Sequence, residues 1–355
     1  MNITKAKLSD GREIFFYDDE SGKDRKIIDN REDIGRPPTG KMRYDILRDE
    51  WISFASHRQT RTLLPKSSEC PLCPTTPEFE TEIPTTNYDV VVFENRFPSF
   101  QSTEANDYGT DDIIRPAFGR CEVVAYNSEH EGSLAELPLI RIENIINAWA
   151  DRTKNLTKIE GIKQVFVFEN RGQAIGVTLD HPHGQIYGYP YITPTTKLML
   201  ETAKKALKND GKHPVASSLA REHKDEIRII QKGKYFTSFV PFAARMPIEI
   251  HIVPHKQYAT LAQLPQEEIK ELAEMYKDVL ERVDALYSDN TAYISAWHQA
   301  PVHEDPELSW LHLQITSPRR GEDKLKFLAG SEAAMGAFIA DVLPEETAEQ
   351  LRKAK

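Results

Sequence analysis

An α+β fold made of two copies of one unit is predicted by three features of this 355-residue chain. Short strand-like runs alternate with amphipathic helical stretches, three sequence blocks recur in the same order, and the length suffices for two ordinary domains. The first forty residues are polar and turn-rich. Lys5 to Tyr17 reads as a hairpin around Ser9-Asp10-Gly11, and Arg36-Pro37-Pro38-Thr39-Gly40 closes the segment, so residues 1–40 are taken as an N-terminal extension. Beyond it, Trp51-Ile-Ser-Phe54, Val90-Val-Val-Phe93, Cys121 to Tyr126 and Val165-Phe-Val-Phe168 read as strands. Glu143 to Leu156 and Pro265 to Leu286 carry apolar residues at helical spacing and read as helices that lay one face on a sheet.

The repeat sets the domain organisation. Leu134-Ala-Glu-Leu-Pro138 returns as Leu261-Ala-Gln-Leu-Pro265, Val165 to Asn170 as Tyr293 to His298, and His183-Gly-Gln-Ile186 as His312-Leu-Gln-Ile315. The offset drifts by two residues, as loop insertions would cause. The reading is a first domain over 41–195, with the chemically dense motifs, and a second over 196–355.

Charge narrows the partners. Lys+Arg 45 against Asp+Glu 55 gives 45 − 55 = −10, which argues against broad binding to nucleic acid or anionic membrane and requires a local basic cluster for any anionic ligand. The chain has no apolar run approaching the roughly 18 residues that span a bilayer, and its start lacks a signal-peptide core, so a soluble cytoplasmic protein is expected. Three cysteines do not make a disulfide framework.

The densest chemical string is Asp180-His181-Pro182-His183-Gly184-Gln185-Ile186. In a strand, positions 181, 183 and 185 share one face, so two imidazoles and an amide converge. Pro182 cannot donate to a ladder and Gly184 has no side chain, which places this strand at a sheet edge. A neutral imidazole is a competent nucleophile near pH 7 and divides one group transfer into two. Phosphorus suits it as electrophile, because phosphoryl transfer asks mainly for positioning and for donors to the equatorial oxygens. His183 is the candidate nucleophile, and Gln185 offers a hydrogen bond without a titrating proton, which favours transfer over hydrolysis.

Cys70-Pro-Leu-Cys73 has the spacing of a zinc half-site, with His130 and His181 as candidates for the other two ligands. Arg58 and Arg61 form a possible fork for a diphosphate. Asn95 and Asn170, in matching Phe-Glu-Asn-Arg strings, offer amides to a nucleotide or simply make turns. In the second copy, His298, His312 and Gln314 stand where the first has Asn170, His183 and Gln185, as a second metal site or a buried polar network.

These strings, HPHGQI at 181–186, FENRFPS at 93–99, FENRG at 168–172, CPLC at 70–73 and RYDILRDEWISFASHRQTR at 43–61, resemble the galactose-1-phosphate uridylyltransferases of the histidine-triad superfamily. The resemblance covers about residues 41 to 354. It implies two tandem histidine-triad-like units, each an antiparallel sheet packed with helices, and a homodimer. It further implies ping-pong exchange of UMP between UDP-glucose and galactose 1-phosphate, with UDP-galactose as product. His183 would take up UMP and Gln185 would steady it. Arg58, Arg61, Asn95, Asn170 and Thr178 match nucleotide- and phosphate-contacting positions, and Cys70, Cys73, His130 and His181 match a structural zinc set. The tail from Lys326 through Gly330 to Glu332 resembles a hexose-phosphate loop that reaches the neighbouring subunit. It has Ser331-Glu332 where well-known members have Tyr-Glu, and Phe338 in place of a later Gln. Some members bind iron through three histidines and a glutamate. Here His298 and His312 match, Gln314 replaces the third histidine and no glutamate aligns, so a second metal is not expected. The rival readings are a nucleotide-sugar phosphorylase or adenylyltransferase using the same histidine, a zinc hydrolase, and a non-catalytic nucleotide-binding protein.

Overall fold

The computed structural model describes residues 2–20, 22–33, 35–60, 63–102 and 112–355. The first half runs β1 (Asn2–Lys7), β2 (Glu13–Asp18), β3 (Lys41–Asp45), β4 (Glu50–Phe54), β5 (Val90–Glu94), β6 (Ile114–Pro116), β7 (Arg120–Ala125), α1 (Leu139–Leu156), β8 (Gln164–Arg171) and β9 (His183–Tyr189). The second half runs α2 (Pro194–Asp210), α3 (Pro214–Asp225), β10 (Ile229–Lys232), β11 (Phe236–Phe239), β12 (Ile248–Pro254), α4 (Gln266–Asp284), β13 (Tyr293–His298), β14 (His312–Ser317), β15 (Arg319–Gly321), β16 (Lys324–Leu325), α5 (Gly330–Met335) and α6 (Pro344–Lys353).

Eleven strands form one sheet in the order β1-β2-β5-β7-β9-β8-β13-β14-β12-β11-β10. Every pairing in it is antiparallel. Read outward from its centre, the order is symmetric. β8 answers to β13, β9 to β14 and β7 to β12, and the two copies meet where β8 pairs β13, with Ile294 opposite Asn170 and Ala296 opposite Phe168. The expected α+β fold of two repeated units, each an antiparallel sheet packed with helices, is thus present, with both units contributing to one continuous sheet. β3, β4 and β6 form a separate three-stranded sheet.

Strand alternation assigns the two faces. α1 and α4 cover one of them, burying Ile142, Ile145, Ile146 and Trp149 from α1 and Ile269, Leu272, Tyr276 and Val279 from α4 in one core with Val90, Val92 and Val124 of the first unit and Ile248, Ile250 and Ile252 of the second. On the other face, Ile14, Phe16, Val91, Phe93 and Val123 pack under the loop that holds Cys70, Leu72 and Ile83. The N-terminal hairpin extends the sheet, β2 pairing β5 with Ile14 opposite Phe93.

One expectation is corrected. β9 lies fifth in the sheet, paired on both sides by β7 and β8, and is not an edge strand. Pro182 precedes the ladder, so its missing N–H costs no pairing, and its carbonyl accepts from the Tyr126 N–H at 3.2 Å. Gly184 answers to close packing: a Cβ there would lie 2.2 Å from the Tyr126 hydroxyl and 3.1 Å from the Phe168 carbonyl. No described helix is long and apolar enough to cross a membrane.

Candidate active site

β9 turns His183, Gln185, Tyr187 and Tyr189 to the face away from α1, while Gly184, Ile186 and Gly188 face the helix side. Nδ1 of His183 lies 2.7 Å from the carbonyl oxygen of His181. A carbonyl only accepts, so Nδ1 carries the proton and the neutral ring presents the Nε2 lone pair. Burial lowers the pKa of His183 against the opposing effect of that hydrogen bond, which favours the neutral ring.

His183 and Gln185 border a cleft of about 260 Å³. Arg58, Asn95 and Thr178 line it, together with Glu82, Phe93, Arg96, Phe97 and Leu72. The Tyr187 hydroxyl donates to Gln185 Oε1 at 3.3 Å, which turns the amide NH₂ to other acceptors. Arg58 is anchored by donation to Ser99 Oγ at 2.5 Å and to the Tyr187 oxygen at 3.2 Å. Asn95 makes the turn considered for it, its Oδ1 accepting from the Phe97 N–H at 2.8 Å, and the residue also lines the cleft.

Other positions fall elsewhere. Asn170 shares the open face of β8, two residues beyond Phe168, which pairs with Gln185, but it does not line the cleft. Arg61 lies outside the described residues. Lys326, Gly330 and Glu332 are also away from this cleft. Lys326 donates to Glu332 Oε1 at 2.7 Å and to the Ile339 carbonyl at 2.6 Å, a buried pair that shapes its own loop. Glu82 and Arg96 were missed by the sequence reading. Arg96 follows Asn95 in the quoted string and was legible as a neighbour, whereas nothing near Glu82 marks it.

Cys70, Cys73, His130 and His181 bring one donor atom each within 4.8 Å of one another, a group able to hold a metal. Cys73 Sγ is 3.4 Å from His130 Nδ1 and 3.6 Å from His181 Nδ1. The other nitrogen of His181, Nε2, lies 2.9 Å from the Asn127 carbonyl, which fixes Nδ1 as the free donor, the arrangement of a metal ligand braced from behind. Burial and the adjacent Cys70 sulfur push the Cys73 thiol up to about 12, and burial pulls His181 down to about 4.

The matching place in the second half is a polar network. His298 Nε2 lies 2.9 Å from Gln314 Oε1, and the Gln314 amide donates to Glu249 Oε1 at 2.8 Å. The amide thereby takes up both partners. Among the described residues, the Cys70 group alone meets the geometry for a metal.

A family profile described as "Galactose-1-phosphate uridyl transferase, N-terminal domain" matches residues 38–193, and its C-terminal counterpart matches 196–355. The chain belongs to the galactose-1-phosphate uridylyltransferase family. Among relatives of that name, the Thermotoga maritima protein is 35% identical over 322 residues, spanning 88% of this chain and 98% of its own. The Streptomyces lividans protein is 34% identical over 369 residues, spanning 99% and 98%. A solved uridylyltransferase structure superposes with a TM-score of 0.78 at 30% identity, over 88% of this chain and 98% of that one. An ADP-glucose phosphorylase from Arabidopsis thaliana, solved with ADP-glucose, shares the fold at a TM-score of 0.68 and 24% identity, over 89% and 99%. Within the galactose-1-phosphate uridylyltransferase family, the symmetric sheet and the His183 cleft are the features on which a function has to be built.

Proposed function

We propose that this enzyme exchanges UMP between UDP-glucose and galactose 1-phosphate through a covalent uridylyl-histidine at His183. The observation that carries the reading is the fixed tautomer of His183 at the border of the cleft. Nε2 attacks the α-phosphorus of UDP-glucose, the bond from that phosphorus to the bridging oxygen breaks, and glucose 1-phosphate leaves with the electron pair. A phosphate oxygen of galactose 1-phosphate then attacks the same phosphorus, the N–P bond returns its pair to Nε2, and UDP-galactose departs. Gln185 donates its amide N–H to a phosphoryl oxygen, supported by the Tyr187 hydroxyl on its Oε1. Arg58, Asn95 and Thr178, which line the cleft, contact the nucleotide and its phosphates together with Asn170 and Arg61.

Cys70, Cys73, His130 and His181 hold zinc as a structural ion. It supplies no step of the reaction and ties the loop of Cys70, whose Pro71 and Leu72 line the cleft, to the strand of His183. The enzyme works in the cytoplasm as a homodimer, with residues 41–195 and 196–355 as its two units. The loop of Lys326, Gly330 and Glu332 serves the neighbouring subunit's sugar phosphate. Its exposed Phe327, Leu328, Met335 and Ile339, and the fact that Lys326, Gly330 and Glu332 do not line its own chain's cleft, support that assignment.

The test is incubation with UDP-glucose alone. UMP should appear on His183 in mass spectra of the quenched protein, with one glucose 1-phosphate released per site, and an unlabelled His183 rejects the mechanism. Offering galactose 1-phosphate, glucose 1-phosphate, phosphate and UTP in turn to the labelled enzyme identifies the second substrate.

A further inference from the structure

The cleft contains a carboxylate where an anionic substrate is to bind. Glu82 lines it beside Arg96 and Asn95, and its side chain is almost fully buried. Two arginines of the N-terminal extension hold it. Arg12 Nη2 donates to Glu82 Oε2 at 2.5 Å, and Arg31 Nη1 donates to Oε1 at 2.7 Å. Arg96, from the cleft itself, reaches Oε1 at only 3.3 Å and remains 42% exposed.

Both arm residues are themselves braced. Arg12 is 2% exposed, donates to Asp10 Oδ2 at 2.6 Å and to the Glu94 carbonyl at 2.8 Å. Arg31 forks onto Asp29 at 2.9 and 2.8 Å. Burial would raise the Asp29 carboxyl, but the Arg31 and Ser9 hydrogen bonds outweigh it and hold the group at about 2. Arg36 completes the arm by donating to Glu94 Oε2 at 2.5 Å, next to Asn95. The family profile begins at residue 38, so all three arginines lie outside the part of the chain it describes.

We propose that Arg12 and Arg31 are positioning residues that set the cleft's affinity for phosphate esters by neutralising Glu82 and so leaving Arg96 available to the substrate. Without them, Glu82 would repel a nucleoside diphosphate and draw Arg96 into a closed pair of its own, two effects of the same sign. The inference rests on the uridylyl-transfer reading only for the anionic nature of the ligand.

The experiment is steady-state kinetics with UDP-glucose, together with UMP binding by calorimetry, on Arg31→Ala, Arg31→Lys and the double variant Arg31→Ala/Glu82→Gln. Arg31→Ala should raise KM and weaken UMP binding roughly 10-fold with little change in kcat, as expected when ground-state and transition-state binding are lost together. Arg31→Lys should recover part of the loss. The double variant should recover most of it, because the unbalanced charge is gone, a rescue that a merely structural arm would not give. An unmoved KM in Arg31→Ala with normal wild-type turnover overturns this inference alone, as does a KM defect that Glu82→Gln does not relieve. A wild-type chain that neither binds UMP nor turns over UDP-glucose overturns the uridylyl-transfer reading itself, and this inference with it.

Discussion

The carbonyl oxygen of His181 lies 2.7 Å from Nδ1 of His183, while the ring of His181 faces two cysteines and His130. One residue therefore joins the group able to hold a metal with its side chain and holds the proposed nucleophile with its backbone. Whatever fixes the His181 ring also fixes the peptide that sets the tautomer of His183.

Disturbing the metal group should accordingly reach catalysis without touching the cleft. Cys73→Ser is expected to lower bound zinc, measured by elemental analysis, and to reduce turnover and the thermal midpoint together. Retained activity in a metal-free Cys73→Ser protein would separate the two functions assigned to His181.

The Tyr187 hydroxyl offers a finer probe of the reacting end. Tyr187→Phe removes the donor to Gln185 Oε1 and an acceptor for Arg58, leaving the ring packed beside Phe100 and Phe168. The loss of two hydrogen bonds of about 1 kcal/mol each predicts a roughly 30-fold fall in the rate of uridylylation, read by rapid-quench release of glucose 1-phosphate.

Gly184→Ala tests the packing beneath the nucleophile. Its Cβ would overlap the Tyr126 hydroxyl, a group already lacking a hydrogen-bond partner among the described residues. Overpacking of this kind costs about 1–3 kcal/mol, so the urea midpoint should fall. Adding Tyr126→Phe removes the clashing oxygen and should restore part of it. The Phe168 carbonyl remains close, so recovery should be incomplete.

Glu169 should give the protein a pH-dependent stability. It is buried on the helix side of β8 with Oε2 unpartnered among the described residues, and burial raises its carboxyl to about 8 despite the opposing Arg171. Between its unfolded value near 4.5 and about 8, the unfolded chain has lost the proton that the folded chain keeps. The unfolded state then binds fewer protons, and this residue's contribution to stability falls as pH rises through that window. Glu169→Gln should flatten this slope in denaturant titrations at pH 5, 6.5 and 8, and an identical slope in both proteins would refute the assignment.

The repeat was legible because helix and strand patterns survive divergence. The Leu-Ala-x-Leu-Pro blocks precede α1 and α4, and His183 and His312 both open strands at matching places. The edge assignment of β9 failed because Pro182 and Gly184 were read as features of one strand, whereas their roles depend on Tyr126 from elsewhere in the chain. Asn95 and Asn170 share a motif yet only Asn95 lines the cleft, since Asn95 follows β5 while Asn170 lies in β8, two strands of the same unit set apart in the sheet by β7 and β9. Glu82 had no motif at all. Its significance is a matter of which distant arginines meet it, and that is a property of the tertiary fold.

The pairing of β8 with β13 also bears on how the molecule can come apart. A chain severed in the link between β9 and α2 would leave each half with a raw ladder of backbone donors and acceptors, several residues long, at what had been the middle of the sheet. Such halves would be adhesive, re-joining their proper mates or pairing with wrong ones.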